Sequence, residues 1–125
     1  MKTEELEMLC HNTDNRNIII KHGKNSGIIN ALSEYCREHD ITFCWLPMGQ
    51  LKTLEVISRY DVSDGKVKPL PPFWWPKQDG ESVVLFDEYA SLDFDDAKKL
   101  MECIVQRKFN GYDLPNNCRI LISFT

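Results

Sequence analysis

At 125 residues the chain has room for one domain with a sizeable core. Its hydrophobic share of 42% and charged share of 27% are those of a folded globular protein, and no apolar run approaches the roughly 18 residues of a membrane span. The net charge of −4, with Lys and Arg scattered among acids, disfavours the phosphate backbone of nucleic acid as a partner. The start, Met1-Lys2-Thr3-Glu4-Glu5-Leu6-Glu7, is acidic and has no signal-peptide core, which points to a cytoplasmic protein. Cys10, Cys36, Cys44, Cys103 and Cys118 are odd in number and widely spaced, with no C-x-x-C pair. They read as reduced, buried small hydrophobes rather than a disulfide framework or a zinc knuckle.

In chain order, residues 4 to 10 suit a short amphipathic helix through Leu6, Leu9 and Cys10, and the turn formers from His11 to Asn15 end it. Residues 1–16 are thus an N-terminal arm ahead of a core over 17–125. Asn17-Ile18-Ile19-Ile20 is a continuous β-branched run, the pattern of a strand covered on both faces of a parallel sheet. Gly23 to Gly27 forms its turn. From Ser26 the positions Ile28, Ile29, Leu32, Tyr35 and Cys36 recur at helical spacing, with Ser26 or Asn25 as N-cap. Ile41 to Leu46 is a second strand stopped by Pro47, and Leu51 to Tyr60 carries a second helix.

Asp61 to Gly80 reads as irregular, with Asp64-Gly65 as a turn and four prolines breaking regular structure. Val83 to Phe86 is a third strand ending in Asp87-Glu88. A helical stripe of Ala97, Leu100, Met101, Ile104 and Val105 follows, capped near Ser91 or Asp93. Asn110-Gly111 marks a tight hairpin, and Arg119 to Thr125 is a fourth strand. Strands alternating with helices imply an α/β fold with a mainly parallel four-stranded sheet flanked by helices in three layers.

This order of parts, with certain local strings, resembles the core of an AAA+ ATPase of the MoxR-like branch over residues 17 to 125. Pro71-Pro72-Phe73-Trp74-Trp75-Pro76 resembles the proline-aromatic segment before that family's Walker B strand, and Val83-Val84-Leu85-Phe86-Asp87-Glu88 resembles the strand itself. Arg107-Lys108-Phe109 followed by Leu114-Pro115-Asn116-Asn117-Cys118-Arg119-Ile120 resembles its run of Arg, hairpin, Leu-Pro and strand. The resemblance implies a P-loop NTPase-like fold, here without a lid domain. It implies Asp87 and Glu88 as Walker B carboxylates, with Asp87 facing Mg²⁺, and Gly23, Lys24, Asn25, Ser26 and Gly27 as the nucleotide turn. Thr125 falls at the position of the sensor residue.

The Walker A pattern G-x-x-x-x-G-K-[ST] is broken: by that alignment Ile29 stands at the phosphate lysine and Asn30 at the Ser/Thr. Losing a charge-assisted lysine contact costs roughly 1.5 to 3 kcal/mol. Lys21 and Lys24 lie off the matched position and read as solvated loop lysines. His22 beside the turn reads as a loop histidine, because no nucleophile is placed with it by sequence.

The leading expectation is a degenerate AAA+-like domain without self-sufficient ATP hydrolysis, requiring no cofactor. It acts as a protein-binding module, an inhibitor or adaptor of a true AAA+ ATPase. The second expectation is an ATP- and Mg-dependent binding protein or weak ATPase completed by a partner subunit. Protein-binding candidates are Phe73, Trp74 and Trp75, set against a packing role for that loop, and the first strand through Ile18, Ile19 and Ile20. In the AAA+ sheet the first strand lies between the fourth and the fifth. A chain stopping after the fourth gives the order 1-4-3-2 and leaves Asn17 to Ile20 at an edge that the arm or another chain must cover.

Overall fold

The structure, a computed structural model, describes residues 2–11, 17–23, 26–77 and 79–124. Its centre is a sheet of four parallel strands: β1 (Ile18–Lys21), β2 (Thr42–Pro47), β5 (Ser82–Asp87) and β8 (Cys118–Phe124). They run in the order β1-β8-β5-β2, which is the expected sequence of first, fourth, third and second strands. The all-apolar runs take the middle: every residue of β5 is buried, and all but the last of β8.

Alternation along these strands sorts the core into two faces. Val83, Leu85 and Leu121 join α1 (Thr3–His11) and α2 (Ile28–Glu38) through Leu6, Leu9, Leu32, Tyr35 and Cys36. Val84, Phe86, Ile120 and Ile122 join α3 (Thr53–Ile57) and α4 (Phe94–Gln106) through Val56, Leu100 and Ile104. Helices therefore flank the sheet on both sides. The N-terminal helix is part of the core, with Leu6, Leu9 and Cys10 buried against α2. No described helix is long and apolar enough to cross a membrane.

Several local expectations change. The Ile18–Ile20 run is not covered on both faces. Ile18 and Ile20 pack on the α2 side, but Ile19, on the other face of the edge strand β1, is 63% exposed. The helix read over Leu51 to Tyr60 stops at Ile57, and the stretch called irregular begins with a hairpin of β3 (Arg59–Ser63) and β4 (Lys66–Leu70). The Asp64-Gly65 turn was legible; both residues have positive φ, 52° and 70°, as a two-residue hairpin turn requires. Its strands carry the alternation of Tyr60, Val62 and Val67 with polar residues that suits such a turn, yet they bury almost nothing, and Pro69 is tolerated on an unshared strand edge. Asn110-Gly111 does turn the short hairpin of β6 (Lys108–Phe109) and β7 (Tyr112–Asp113), with φ of 54° and 88°.

Helix α4 is capped by Asp93, whose carboxylate accepts the Asp96 N–H at 2.8 Å. Its expected stripe holds except at Val105, which is 67% exposed. The α2 N-cap is Gly27 at φ 75° with no side-chain cap, so Ser26 does not serve; Asn25 lies outside the described residues. The two hairpins lock together: the Asn110 amide donates to Arg59 O and Leu70 O, and the Tyr112 hydroxyl to Pro69 O.

The proline-aromatic segment sits under these hairpins. Trp74 is 6% exposed, edge-on to Phe86 and Phe109, and its indole N–H donates to Val56 O at 2.7 Å. Trp75 is half-buried against Phe109 and Tyr112, and Phe73 is 54% exposed. The trio therefore splits into a core anchor, a flank and a surface residue. Trp74→Ala should lower the unfolding free energy by about 3–5 kcal/mol in urea titration, while Phe73→Ala should stay within about 0.5 kcal/mol of the parent.

Candidate functional site

In an open parallel sheet, ligand crevices form beyond the carboxyl ends of strands whose connecting helices go to opposite faces. Here β1 feeds α2 on one face and β5 feeds α4 on the other. The turn after β1 and the Asp87-Glu88 end of β5 thus meet at one rim. Strand parity determines which side chains gather there. Ile20 and His22, Phe43 and Trp45, Leu85 and Asp87, and Leu121 and Ser123 alternate onto the α2 face, so its apolar surface ends in a polar row at the carboxyl edge.

Asp87 is the centre of that row and is 5% exposed. Its Oδ2 accepts the Trp45 indole N–H at 2.9 Å from β2. Its Oδ1 accepts the Ser123 hydroxyl from β8 and the Glu88 backbone N–H at 2.9 Å. His22 Nε2 lies 3.7 Å from the same Oδ1. Burial alone would raise the carboxyl pKa; the donors Ser123, Trp45 and Glu88 N–H, with His22 nearby, outweigh it and hold the pKa below the ordinary Asp value.

His22 ties the glycine turn to this centre. Its Nδ1 lies 3.0 Å from Gly23 O and 3.0 Å from Ser26 Oγ, while Nε2 faces Asp87. Contrary to the reading of His22 as an unaccompanied loop residue, the fold brings a serine to it.

Glu88 leaves the strand in the left-handed region at φ 55° and is half-buried. Its carboxylate lies towards the turn after β2: a Cβ added at Gly49 would stand 2.6 Å from Glu88 Oε2 and 3.3 Å from Ser91 Oγ. The two acidic residues therefore serve different surroundings. An open cavity of about 480 Å³ lies farther along this side, between α3 and the start of α4, lined by Met48, Lys52, Thr53, Ser91 and Asp93 among others. Neither Asp87 nor His22 lines it.

Of the remaining sequence candidates, Gly23, Ser26 and Gly27 are exposed in the turn. Lys24, Asn25 and Thr125 lie outside the described residues. Ile29 packs half-buried on the α2-side core and Asn30 is exposed on the helix. The fit to Mg·ATP is poor: the Asp87 oxygens already serve protein donors, and Ile29, which the resemblance matches to the phosphate lysine, is apolar and packs on the core. Among the described residues, no group of three or more His, Cys, Asp or Glu side chains is gathered to hold a metal ion.

Sequence reasoning missed Ser123 and Trp45. Ser123 had a signal, being the one polar residue inside Ile120-Leu121-Ile122-Ser123-Phe124 and fully buried in the fold. Trp45 had none, because its role depends on the β2–β5 register that sets Pro47 opposite Asp87.

No protein-family model and no curated protein matches this chain.

Ser123→Ala and Trp45→Phe should each cost about 1–3 kcal/mol, the price of a missing donor to a buried carboxylate, read by urea unfolding at pH 7. The folded-state pKa of Asp87 lies below its unfolded value, so the unfolded chain takes up the proton first as pH falls. The stabilisation is therefore whole above about pH 4 and is lost as pH drops through the folded pKa. Acid unfolding of Ser123→Ala should begin at higher pH than that of the parent; coincident acid limbs would contradict this.

Proposed function

We propose that this chain is a degenerate AAA+-like, P-loop NTPase-derived domain that does not turn over ATP by itself and works by binding protein, as an inhibitor or adaptor of a true AAA+ ATPase. The observation that carries the reading is the engagement of Asp87. A Walker B carboxylate must face a metal ion, whereas this one is 5% exposed and spends both oxygens on Trp45, Ser123 and the Glu88 N–H. Ile29 and Asn30 at the matched lysine and hydroxyl positions support the same conclusion. The resemblance to the MoxR-like branch supplies the ancestry, and the parallel order β1-β8-β5-β2 accords with it.

Protein binding is assigned to β1. It is a sheet edge, Ile19 is 63% exposed on it, and such an edge accepts a further strand through its backbone groups. In the resembled family a fifth strand lies there, so a strand from an AAA+ subunit is the natural occupant. Ile19→Lys places a charge on this edge without disturbing the core.

Two measurements test the proposal. Millimolar Mg·ATP should leave the melting temperature unchanged, whereas ligand at 100 times its dissociation constant would add roughly 2.7 kcal/mol. A magnesium-dependent rise would overturn the reading in favour of an ATP-binding protein completed by a partner. The purified chain should also alter the ATP turnover of a MoxR-type ATPase from the same cell, and Ile19→Lys should lose that effect while melting like the parent.

A further inference from the structure

Two of the five cysteines, far apart in sequence, meet in the fold. Cys10, in the last turn of α1, and Cys36, near the end of α2, meet in the interface between these helices with their sulfurs 3.8 Å apart. Both are free thiols, 5% and 0% exposed respectively. The other three are placed differently. Cys44 and Cys118 sit on β2 and β8 with β5 between them. Two strand spacings amount to roughly 9.5 Å, beyond disulfide reach. Cys103 lies on α4 and, like Cys44 and Cys118, on the face of the sheet away from α1 and α2. Cys10 and Cys36 are thus the pair, among the described cysteines, whose sulfurs lie in contact.

We propose that Cys10 and Cys36 form a reversible disulfide site, at which a low-molecular-weight disulfide oxidises the pair and joins α1 covalently to α2. Access comes from α1 itself. It is nine residues long, too short to persist alone, and is held mainly by Leu6, Leu9 and Cys10. Lifting it uncovers both sulfurs at once, and local openings of this kind lie at the low end of a protein's stability range.

The chemistry is a two-step exchange. The Cys36 thiolate attacks one sulfur of the small disulfide, forming a mixed disulfide and expelling one thiolate, which takes up a proton. The Cys10 sulfur, giving up its proton, then attacks Cys36 Sγ, forms the Cys10–Cys36 bond and expels the second thiolate. Two protein thiols are oxidised by two electrons and one small disulfide is reduced to two thiols. The order of attack follows from the contact. Either sulfur can donate across this contact; with Cys10 as the donor, its hydrogen bond stabilises the Cys36 thiolate and draws its pKa down against burial, and the same contact, with burial, pushes that of Cys10 up.

The whole chain is equilibrated at pH 8 across a series of oxidised-to-reduced glutathione ratios, then mapped by non-reducing peptide mass spectrometry and melted. One linked peptide pair should appear, joining Cys10 to Cys36. It should raise the melting temperature by roughly 10 °C through the loop it closes, and dithiothreitol should reverse both changes. Cys10→Ser and Cys36→Ser should each lose the link and the rise. The proposal is overturned if glutathione stays attached at Cys10 or Cys36, if links form at Cys44, Cys103 or Cys118 instead, if no cysteine reacts, or if the linked protein melts no higher than the reduced one. The peptide map of the parent chain decides the matter even if a serine variant does not fold.

Discussion

A carboxylate buried at the rim of a parallel sheet is the constraint on which the rest of this molecule depends. Asp87 cannot be taken out of water as an anion unless donors replace its hydration, and removing one such donor exposes the remaining cost. The donors come from β2 and β8 on either side of β5, while the residue after β1 faces the same oxygen. A slip of one residue in any strand would turn its contribution to the other face. The polar row therefore enforces the register that the apolar runs Val83–Phe86 and Ile120–Ile122 specify only weakly by themselves.

From this rim the two faces diverge in character. The α3/α4 side is built from interlocked aromatics, Trp74, Phe86 and Phe109, which also secure two hairpins of little burial. The α1/α2 side is aliphatic and sulfur-bearing, and closes with a terminal helix of nine residues. The second contains both the glycine turn with His22 and the thiol pair, so any change in how α1 sits is felt on the side of the sheet where the polar row lies.

What was legible in the sequence follows from the range of the interactions. Ile18 to Ile20, Val83 to Phe86 and Ile120 to Ile122 announce strands through local composition, and Asp64-Gly65 and Asn110-Gly111 announce turns through backbone sterics. Their parallel pairing was reachable because helices separate them, while their order was an implication of the resemblance to the AAA+ core. The β3–β4 hairpin had a local signal, Tyr60, Val62 and Val67 alternating with polar residues around Asp64-Gly65, but the prolines from Pro69 onward read against regular structure. The candidate site was half visible. Asp87 and Glu88 stood out as a motif, but the partners of Asp87 are 42 residues away at Trp45 and 36 away at Ser123, joined only by strand register. The same distance in sequence concealed the meeting of Cys10 with Cys36, which are 26 residues apart. Trp74, a candidate for recognition by residue type, turned out to be core because its indole N–H finds a buried carbonyl at Val56.

The central claim is that Asp87 serves the fold rather than a bound metal. Carboxylates kept for function are commonly a burden on stability, and neutralising them leaves a protein as stable or more so. Structural acceptors behave in the opposite way. The direct measurement is the unfolding free energy of Asp87→Asn at pH 7, without nucleotide, by urea titration. The account predicts a loss of about 2–4 kcal/mol, because the amide's own donors oppose Ser123, Trp45 and the Glu88 N–H. A variant at least as stable as the parent would contradict it and return Asp87 to ligand chemistry.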